Sequence, residues 1–200
     1  MKNKRNIILN ILFLLCEIIG LVLTLVVTHS FQFEYYTEDS NLFAFIVGII
    51  YLCYLILNKK IPRWLQILRL SSIIGLVLTC VVVFVVLLPM TKFNIGYMFG
   101  GANFFLHLTC PLLMKVIHFL DKKKIRLNNK ELIISCIPTA IYSVILILLN
   151  IFNIIKGPYP FLYVYEQPIY VSILWFLFFG ITVYLFSILL NKKKRRVNKH

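Results

Sequence analysis

The chain has 200 residues, 60% of them hydrophobic, and its mean hydropathy of +0.89 is well above that of soluble domains. The formal net charge of +14 would suit a nucleic-acid partner only if the basic residues formed one face, but they occur as short clusters between long apolar runs. The composition therefore excludes a nucleic-acid-binding protein and predicts one that lies in the lipid bilayer.

Six apolar runs are each long enough to cross a bilayer as a helix, because about 20 residues are needed for a hydrocarbon core about 30 Å thick. The first run is too long for a signal peptide, and no small-residue cleavage site follows it. The sequence thus predicts an all-α, polytopic integral membrane protein, a six-helix transmembrane bundle formed by one domain over residues 1–200. The predicted spans are residues 7–28, 41–57, 70–88, 102–120, 132–155 and 169–190.

Basic residues alternate with these runs along the chain. Eighteen of the 21 Lys and Arg residues lie in four segments: before the first run, after the second, after the fourth and after the sixth. The segments on the other side of the membrane, after the first, third and fifth runs, carry only Lys92 and Lys156. The positive-inside rule therefore predicts that both termini lie in the cytosol. The basic tail, residues 191–200, is predicted to anchor this topology, and it can also bind anionic lipid headgroups.

The first run carries a polar stripe. Asn10, Glu17 and Thr24 are spaced by seven and Thr28 follows by four, so all four fall on one helix face, which is predicted to look inward. Glu17 lies near the middle of the span, where a charge that faces lipid costs about 3 kcal/mol, so it is predicted to be paired, hydrated or protonated. Lys115 can either pair with it or extend along its own stem to the cytosolic edge.

The segment before the second run, YYTEDSN over residues 35–41, lies on the outer side of the predicted topology. A threonine hydroxyl becomes a nucleophile when a base takes its proton, so Thr37 is a candidate nucleophile if a neutral histidine lies at the same depth. The alternative is that Thr37, Asp39 or Ser40 caps the second helix.

The fourth run supplies that histidine. Asn103 and His107 are one turn apart on one face, and His118, three turns further on, is predicted to be interfacial. His107 lies about 8 Å inside the outer edge by helix rise, and a neutral imidazole there can act as a base. Pro111 lacks the N–H that the carbonyl of His107 requires and is predicted to kink the helix. The alternative is a structural histidine that hydrogen-bonds a neighbouring helix.

A third outer segment, Gly157–Pro168, combines prolines with aromatic residues, which is also typical of an interfacial aromatic belt. Together the three motifs resemble the androgen-induced-gene type of transmembrane hydrolase and its bacterial six-span relatives. They are Thr37 after two tyrosines, the His-x-x-x-Pro of His107 to Pro111, and Tyr-Pro-Phe-Leu at 159–162. The resemblance implies a bacterial plasma-membrane protein in which Thr37 is the nucleophile and His107 the base for hydrolysis of lipid esters, namely fatty acid esters of hydroxy fatty acids.

The hydrolase hypothesis assigns supporting roles to further polar residues. These are Asp39 as the orienting acid, Asn41 and Asn103 as donors to the oxyanion, and Glu17. Two other classes stay open. A small-solute binding or transport protein would line its pocket with Glu17, Asn103 and His107, and a structural membrane protein would need no small-molecule site.

Cofactor and metal chemistry have no signature in this sequence. The five cysteines fall within the predicted spans and form no Cys-x-x-Cys pair, so they are predicted to be buried thiols that form neither disulfides nor metal sites. No cofactor is predicted, and the predicted partners are the lipid bilayer and a lipid-ester substrate.

Overall fold

The computed structural model describes residues 2–96, 100–121 and 123–192. Within these ranges the chain forms helices joined by loops, and there is no strand. In the same ranges, five helices are long and apolar enough to span a membrane, and Phe104–Leu120 is a shorter apolar helix. The chain is therefore all-α, with the helices of an integral membrane protein. The helices are α1 (Lys2–Thr28), α2 (Tyr36–Ile56), α3 (Arg63–Val82), α4 (Phe104–Leu120), α5 (Asn129–Ile151) and α6 (Ile169–Asn191).

Several helix ends differ from the predicted spans. α1, α2 and α3 begin at Lys2, Tyr36 and Arg63, earlier than predicted, because polar residues at a helix end lower the hydropathy without disfavouring the helix. α5 stops at Ile151 instead of 155, since Asn153 takes a left-handed backbone conformation with φ of 54°.

Two helices contain π-helical turns. α3 continues through the π-helical segment Val83–Leu87 and ends at Met90. α4 opens with the π-helical segment Phe104–Thr109, in which the N–H of Cys110 bonds the carbonyl five residues back, that of Phe105. Pro111 follows directly and has no N–H for α-helical pairing with His107. The predicted kink therefore takes the form of a π-turn that carries His107.

The helix α3 lies at the centre of the bundle. It contacts α2, α4, α5 and α6, whereas α1 packs on α2 and α4. Every residue from Leu70 to Leu76 is buried, as expected of a helix surrounded on all sides. Small residues allow close packing here, since the hydroxyl of Ser71 donates to the carbonyl of Ser135 on α5 at 2.7 Å.

The outer surface of the bundle is strongly apolar. Large side chains on the outer faces of all six helices are exposed, for example Leu174, Phe178 and Ile181 of α6, at 55 to 61% exposure. A continuous apolar surface of this kind is unfavourable in water and is matched by lipid.

The polar stripe of α1 faces inward, as predicted. Asn10 and Glu17 are fully buried and Thr24 is 7% exposed. Neither carboxyl oxygen of Glu17 has a hydrogen-bond partner among the described residues, and the thiol of Cys110 lies beside the carboxyl group. Lys115 is exposed and forms no ion pair with it within the described ranges.

The five cysteines are free thiols. Only Cys110 is buried, and Cys16, Cys80 and Cys136 are half-buried. The prediction of burial is wrong for Cys53, because it lies on the side of α2 opposite to the buried Tyr51 and Leu55.

Candidate active site

The hydroxyl-bearing residue Thr37 lies in the first turn of α2. The N-cap position belongs to Tyr35, whose backbone is extended and whose side chain makes no capping bond, so capping by Thr37, Asp39 or Ser40 is wrong. The N–H of Tyr36, the first residue of the helix, has no partner within the helix and donates to the phenol oxygen of Tyr159 at 3.1 Å. A side chain more than a hundred residues away thus replaces the local cap that such an N–H requires.

The imidazole of His107 reaches the same point from the π-turn of α4. Its Nε2 lies 3.4 Å from Oγ1 of Thr37, and the two residues are only 7% and 9% exposed. This distance is long for a hydrogen bond, but pairs of nucleophile and base commonly tighten only when substrate binds. The structure therefore brings together the two residues that the sequence singles out as nucleophile and base.

The third motif converges on this pair. The phenol of Tyr159 lies beside the Thr37 hydroxyl and accepts the N–H of the neighbouring Tyr36. Its ring stacks on Phe161 with centroids 5.1 Å apart and meets the ring of Tyr35 edge-on at 6.4 Å. Burial raises the pKa of the Tyr159 phenol, so the group stays protonated near neutral pH and can donate a hydrogen bond.

Asn41 has a different role from the one predicted. Its Nδ2 donates to the carbonyls of Thr37 at 2.7 Å and of Leu106 at 3.3 Å, so both of its N–H groups are used. In the π-turn the carbonyl of Leu106 would pair with the N–H five residues on, at Pro111, which has none. Asn41 therefore ties α2 to the π-turn instead of offering a donor to an oxyanion.

Asp39 and Asn103 are the other supporting residues that the sequence predicts near the pair. Asp39 follows Thr37 by two residues, so it points to another side of α2, where it lines a separate cavity. It is therefore not placed as the orienting acid of His107. Asn103 is half-buried one turn before His107, and its role as an oxyanion donor stays a prediction.

A mostly apolar cavity of about 130 Å³ opens beside Thr37, between α3, α5, α6 and the loop that follows α5. Thr37, Tyr36, Thr79 and Tyr159 form its polar wall. Hydroxyl groups of Thr139, Ser143 and Ser172 also line it, and the rest is mainly aliphatic and aromatic, including Phe161, Leu162, Trp175, Phe176 and Phe179. His107 is not among the lining residues, so Thr37 stands between the imidazole and the cavity.

A second cavity of about 580 Å³ lies between α2, α3 and α5. Tyr36 and Thr139 line both cavities, and their hydroxyl groups are hydrogen-bonded at 2.6 Å. This hydrogen bond forms part of the wall between the two spaces.

No protein-family model, curated protein or solved structure matches this chain significantly. Within the described ranges, no three His, Cys, Asp or Glu side chains lie together as a metal site would require.

Proposed function

We propose that this chain is an intramembrane lipid-ester hydrolase in which Thr37 is the nucleophile and His107 the general base. The observation that carries the proposal is the 3.4 Å separation of Oγ1 of Thr37 and Nε2 of His107 in a buried site beside an apolar cavity. The resemblance to the androgen-induced-gene type of transmembrane hydrolase supports it, since all three motifs of that resemblance converge at this point.

The proposed topology has six spans with both termini in the cytosol of a bacterial plasma membrane. α4 is the short member, and its 17 residues extend about 26 Å, so it would cross with little tilt or thin the bilayer locally. The distribution of Lys and Arg supports this orientation. In the proposed orientation, Thr37, His107 and Tyr159 lie near the outer leaflet.

The proposed reaction has two steps. In the first, His107 takes the proton of the Thr37 hydroxyl, whose oxygen attacks the ester carbonyl carbon, and the resulting tetrahedral oxyanion collapses as the alcohol leaves with the proton from His107. In the second, His107 takes a proton from water, the hydroxide attacks the acyl-threonine, and the carboxylic acid leaves as Thr37 regains its proton.

Two features of the site would favour the oxyanion. Thr37 lies at the N-terminus of α2, where the aligned backbone dipoles present partial positive charge. The protonated phenol of Tyr159 is beside the Thr37 hydroxyl and can donate to a new negative charge there. The aromatic and aliphatic lining of the adjacent cavity suits an acyl chain that stays within the bilayer.

The solute-carrier alternative is not favoured by the geometry. It requires a pocket lined by Glu17, Asn103 and His107, and neither cavity described above is lined by any of these residues.

The decisive experiment compares purified wild type, Thr37→Ala, Thr37→Ser and His107→Ala on a panel of lipid esters. Thr182→Ala is the matched control, because the exposed Thr182 hydroxyl donates to the carbonyl of Phe178 in its own helix. We expect both alanine variants at Thr37 and His107 to lose hydrolysis and Thr37→Ser to retain part of it. An acyl adduct on Thr37, detected by mass spectrometry, would support the covalent step. Equal rates in wild type and Thr37→Ala would overturn the proposal.

A further inference from the structure

A second buried polar cluster lies far from Thr37, at the end of the bundle where α1 and α3 begin and α4 ends. Arg69 of α3 is at its centre and is only 5% exposed. Arg69 is one of the basic residues between the second and third predicted spans, but it lies inside the bundle, two turns into α3. Hydropathy could not show this, because its partners come from distant positions in the chain.

The guanidinium group of Arg69 is only partly satisfied. Its Nη2 donates to Oδ1 of Asn10 at 2.5 Å, and its central carbon lies 4.6 Å from the centre of the Tyr51 ring. Its Nη1 is buried and has no hydrogen-bond partner among the described residues. A buried donor of a charged group without a partner is costly, so this nitrogen indicates a missing acceptor.

The nearby carboxylate does not supply that acceptor. Asp121 accepts hydrogen bonds from the hydroxyl of Tyr51, from Nδ2 of Asn6 at 3.1 Å and from the backbone N–H of Lys123 at 2.8 Å. No ion pair joins it to Arg69 within the described ranges. The carboxylate is therefore already engaged by three donors.

A second cation faces the same space. Nζ of Lys124 lies 2.7 Å from Nε2 of His118 and donates to the carbonyls of Leu190 at 2.5 Å and Lys192 at 3.4 Å. Burial lowers the pKa of this ammonium group, with Asp121 acting in the opposite direction. Two cations thus share this region with one carboxylate, so an anion bound here would be electrostatically favoured.

Arg69, His118, Asp121 and Lys124 line a small cavity of about 20 Å³, together with Gln66 and Asn191. A volume of about 10 to 15 Å³ on this measure admits one water-sized particle. The space therefore matches a monoatomic ion and is too small for a phosphate group. The unpartnered N–H of the cavity belongs to the Arg69 guanidinium, and with Lys124 the two cations outnumber the one carboxylate, which favours an anion.

We propose that this cavity binds a single halide ion, chloride under physiological conditions, between Nη1 of Arg69 and Nζ of Lys124. The ion supplies the acceptor that the guanidinium group requires and balances the second cation. The site joins α3, α4, α6 and the loop after α4, so occupancy stabilises this end of the bundle. It is independent of the hydrolytic reaction proposed for Thr37.

The test measures thermal unfolding of the purified protein in detergent over a chloride series, with gluconate holding the ionic strength constant. We expect the unfolding midpoint to rise saturably with chloride or bromide, as linkage to binding requires. Lys124→Met should weaken the apparent chloride affinity about tenfold or more, because it removes one of the two positive charges at the cavity. Lys130→Met, in the same basic region but exposed, is the matched control and should leave that affinity unchanged.

Two further measurements make the result decisive. Bromide should give an anomalous diffraction peak between Arg69 and Lys124 in crystals, and Arg69→Met should abolish the peak if it folds. A midpoint indifferent to chloride, or a chloride effect that Lys124→Met leaves unchanged, would overturn the proposal. Stabilisation by inorganic phosphate or phosphatidylglycerol vesicles but not by halides would also overturn it, in favour of an oxyanion or headgroup site.

Discussion

The amide of Asn41 on α2 donates a hydrogen bond of 3.3 Å to the carbonyl of Leu106, the residue before His107. The same Nδ2 donates to the carbonyl of Thr37 at 2.7 Å. The buried side chain of Asn41 is thus bonded to the backbone of Thr37 and to the backbone of the residue before His107. It fixes their relative position without taking part in the chemistry.

Replacing Asn41 should therefore disturb both stability and hydrolysis. Asn41→Leu leaves two buried carbonyls without these donors and should lower the free energy of unfolding by about 1 to 3 kcal/mol. Asn41→Asp should cost more, because a carboxylate would face two carbonyl oxygens. Denaturation in detergent measures the first effect and the ester-hydrolysis rate the second. Wild-type stability in Asn41→Asp would show that these hydrogen bonds contribute nothing.

The close approach of α1 to the π-turn yields a second prediction. A Cβ at Gly20 would lie 2.5 Å from Cδ2 of Leu106, which is almost fully buried. We expect Gly20→Ala to destabilise the protein by about 1 to 3 kcal/mol through overpacking. Gly180→Ala in α6 is the matched control for stability, since a Cβ there meets nothing within 4 Å. Because alanine favours helix over glycine, that control should be neutral or slightly stabilising. Equal unfolding midpoints for the two variants would contradict the packing argument.

Tyr159→Phe tests whether the phenol acts in the proposed reaction. The variant keeps the stack on Phe161 but loses the hydroxyl beside Thr37, so we expect hydrolysis to fall by about a hundredfold, as for the loss of one oxyanion donor. The matched control is Tyr165→Phe in the same loop, whose hydroxyl donates to the carbonyl of Ile151. Steady-state kinetics should show the change mainly in kcat. A rate loss explained by unfolding alone would leave Tyr159 a structural residue that caps α2.

Glu17 provides a prediction on stability alone. Its carboxyl group is fully buried and has no hydrogen-bond partner among the described residues, apart from the weak donor thiol of Cys110 beside it. Glu17→Met should therefore raise the free energy of unfolding by about 1 to 3 kcal/mol, because it removes an unsatisfied polar group and keeps the volume. Glu166→Gln, at an exposed ion pair with Lys156, should change stability by less than about 0.5 kcal/mol. A destabilised Glu17→Met would instead indicate that the carboxyl group has a partner or a function.

Two features could be predicted from the sequence, one from helix periodicity and one from shared depth in the membrane. The inward face of α1 follows from the spacing of Asn10, Glu17 and Thr24, because one helix fixes which residues share a face. The pairing of Thr37 with His107 followed from placing two motifs on one side of a membrane. Depth alone could not give their separation, which depends on how α2 and α4 pack.

The features that sequence analysis missed depend on tertiary contacts. Arg69 was assigned to a loop because a charge ordinarily marks the end of a span, yet Asn10 and Tyr51 accommodate it inside the bundle. The sequence suggests Asn41 as an oxyanion donor. No local sequence pattern shows that the π-turn leaves the carbonyl of Leu106 without an N–H, so the bond from Asn41 to that carbonyl could not be predicted. The sequence offers Thr37, Asp39 and Ser40 as caps of α2. The group that accepts the first N–H of α2 is instead the phenol of Tyr159, which is distant in the chain.

The central position of α3 also bears on how the chain assembles in the bilayer. Two of the four helices that surround it, α5 and α6, follow it in the chain by many residues. Until they have been synthesised and inserted, hydroxyl groups such as that of Ser71 face lipid or nascent chain without their final acceptors. The bundle can therefore close only once synthesis is nearly complete, and truncation after α4 should leave α3 without the helices that bury its polar side chains.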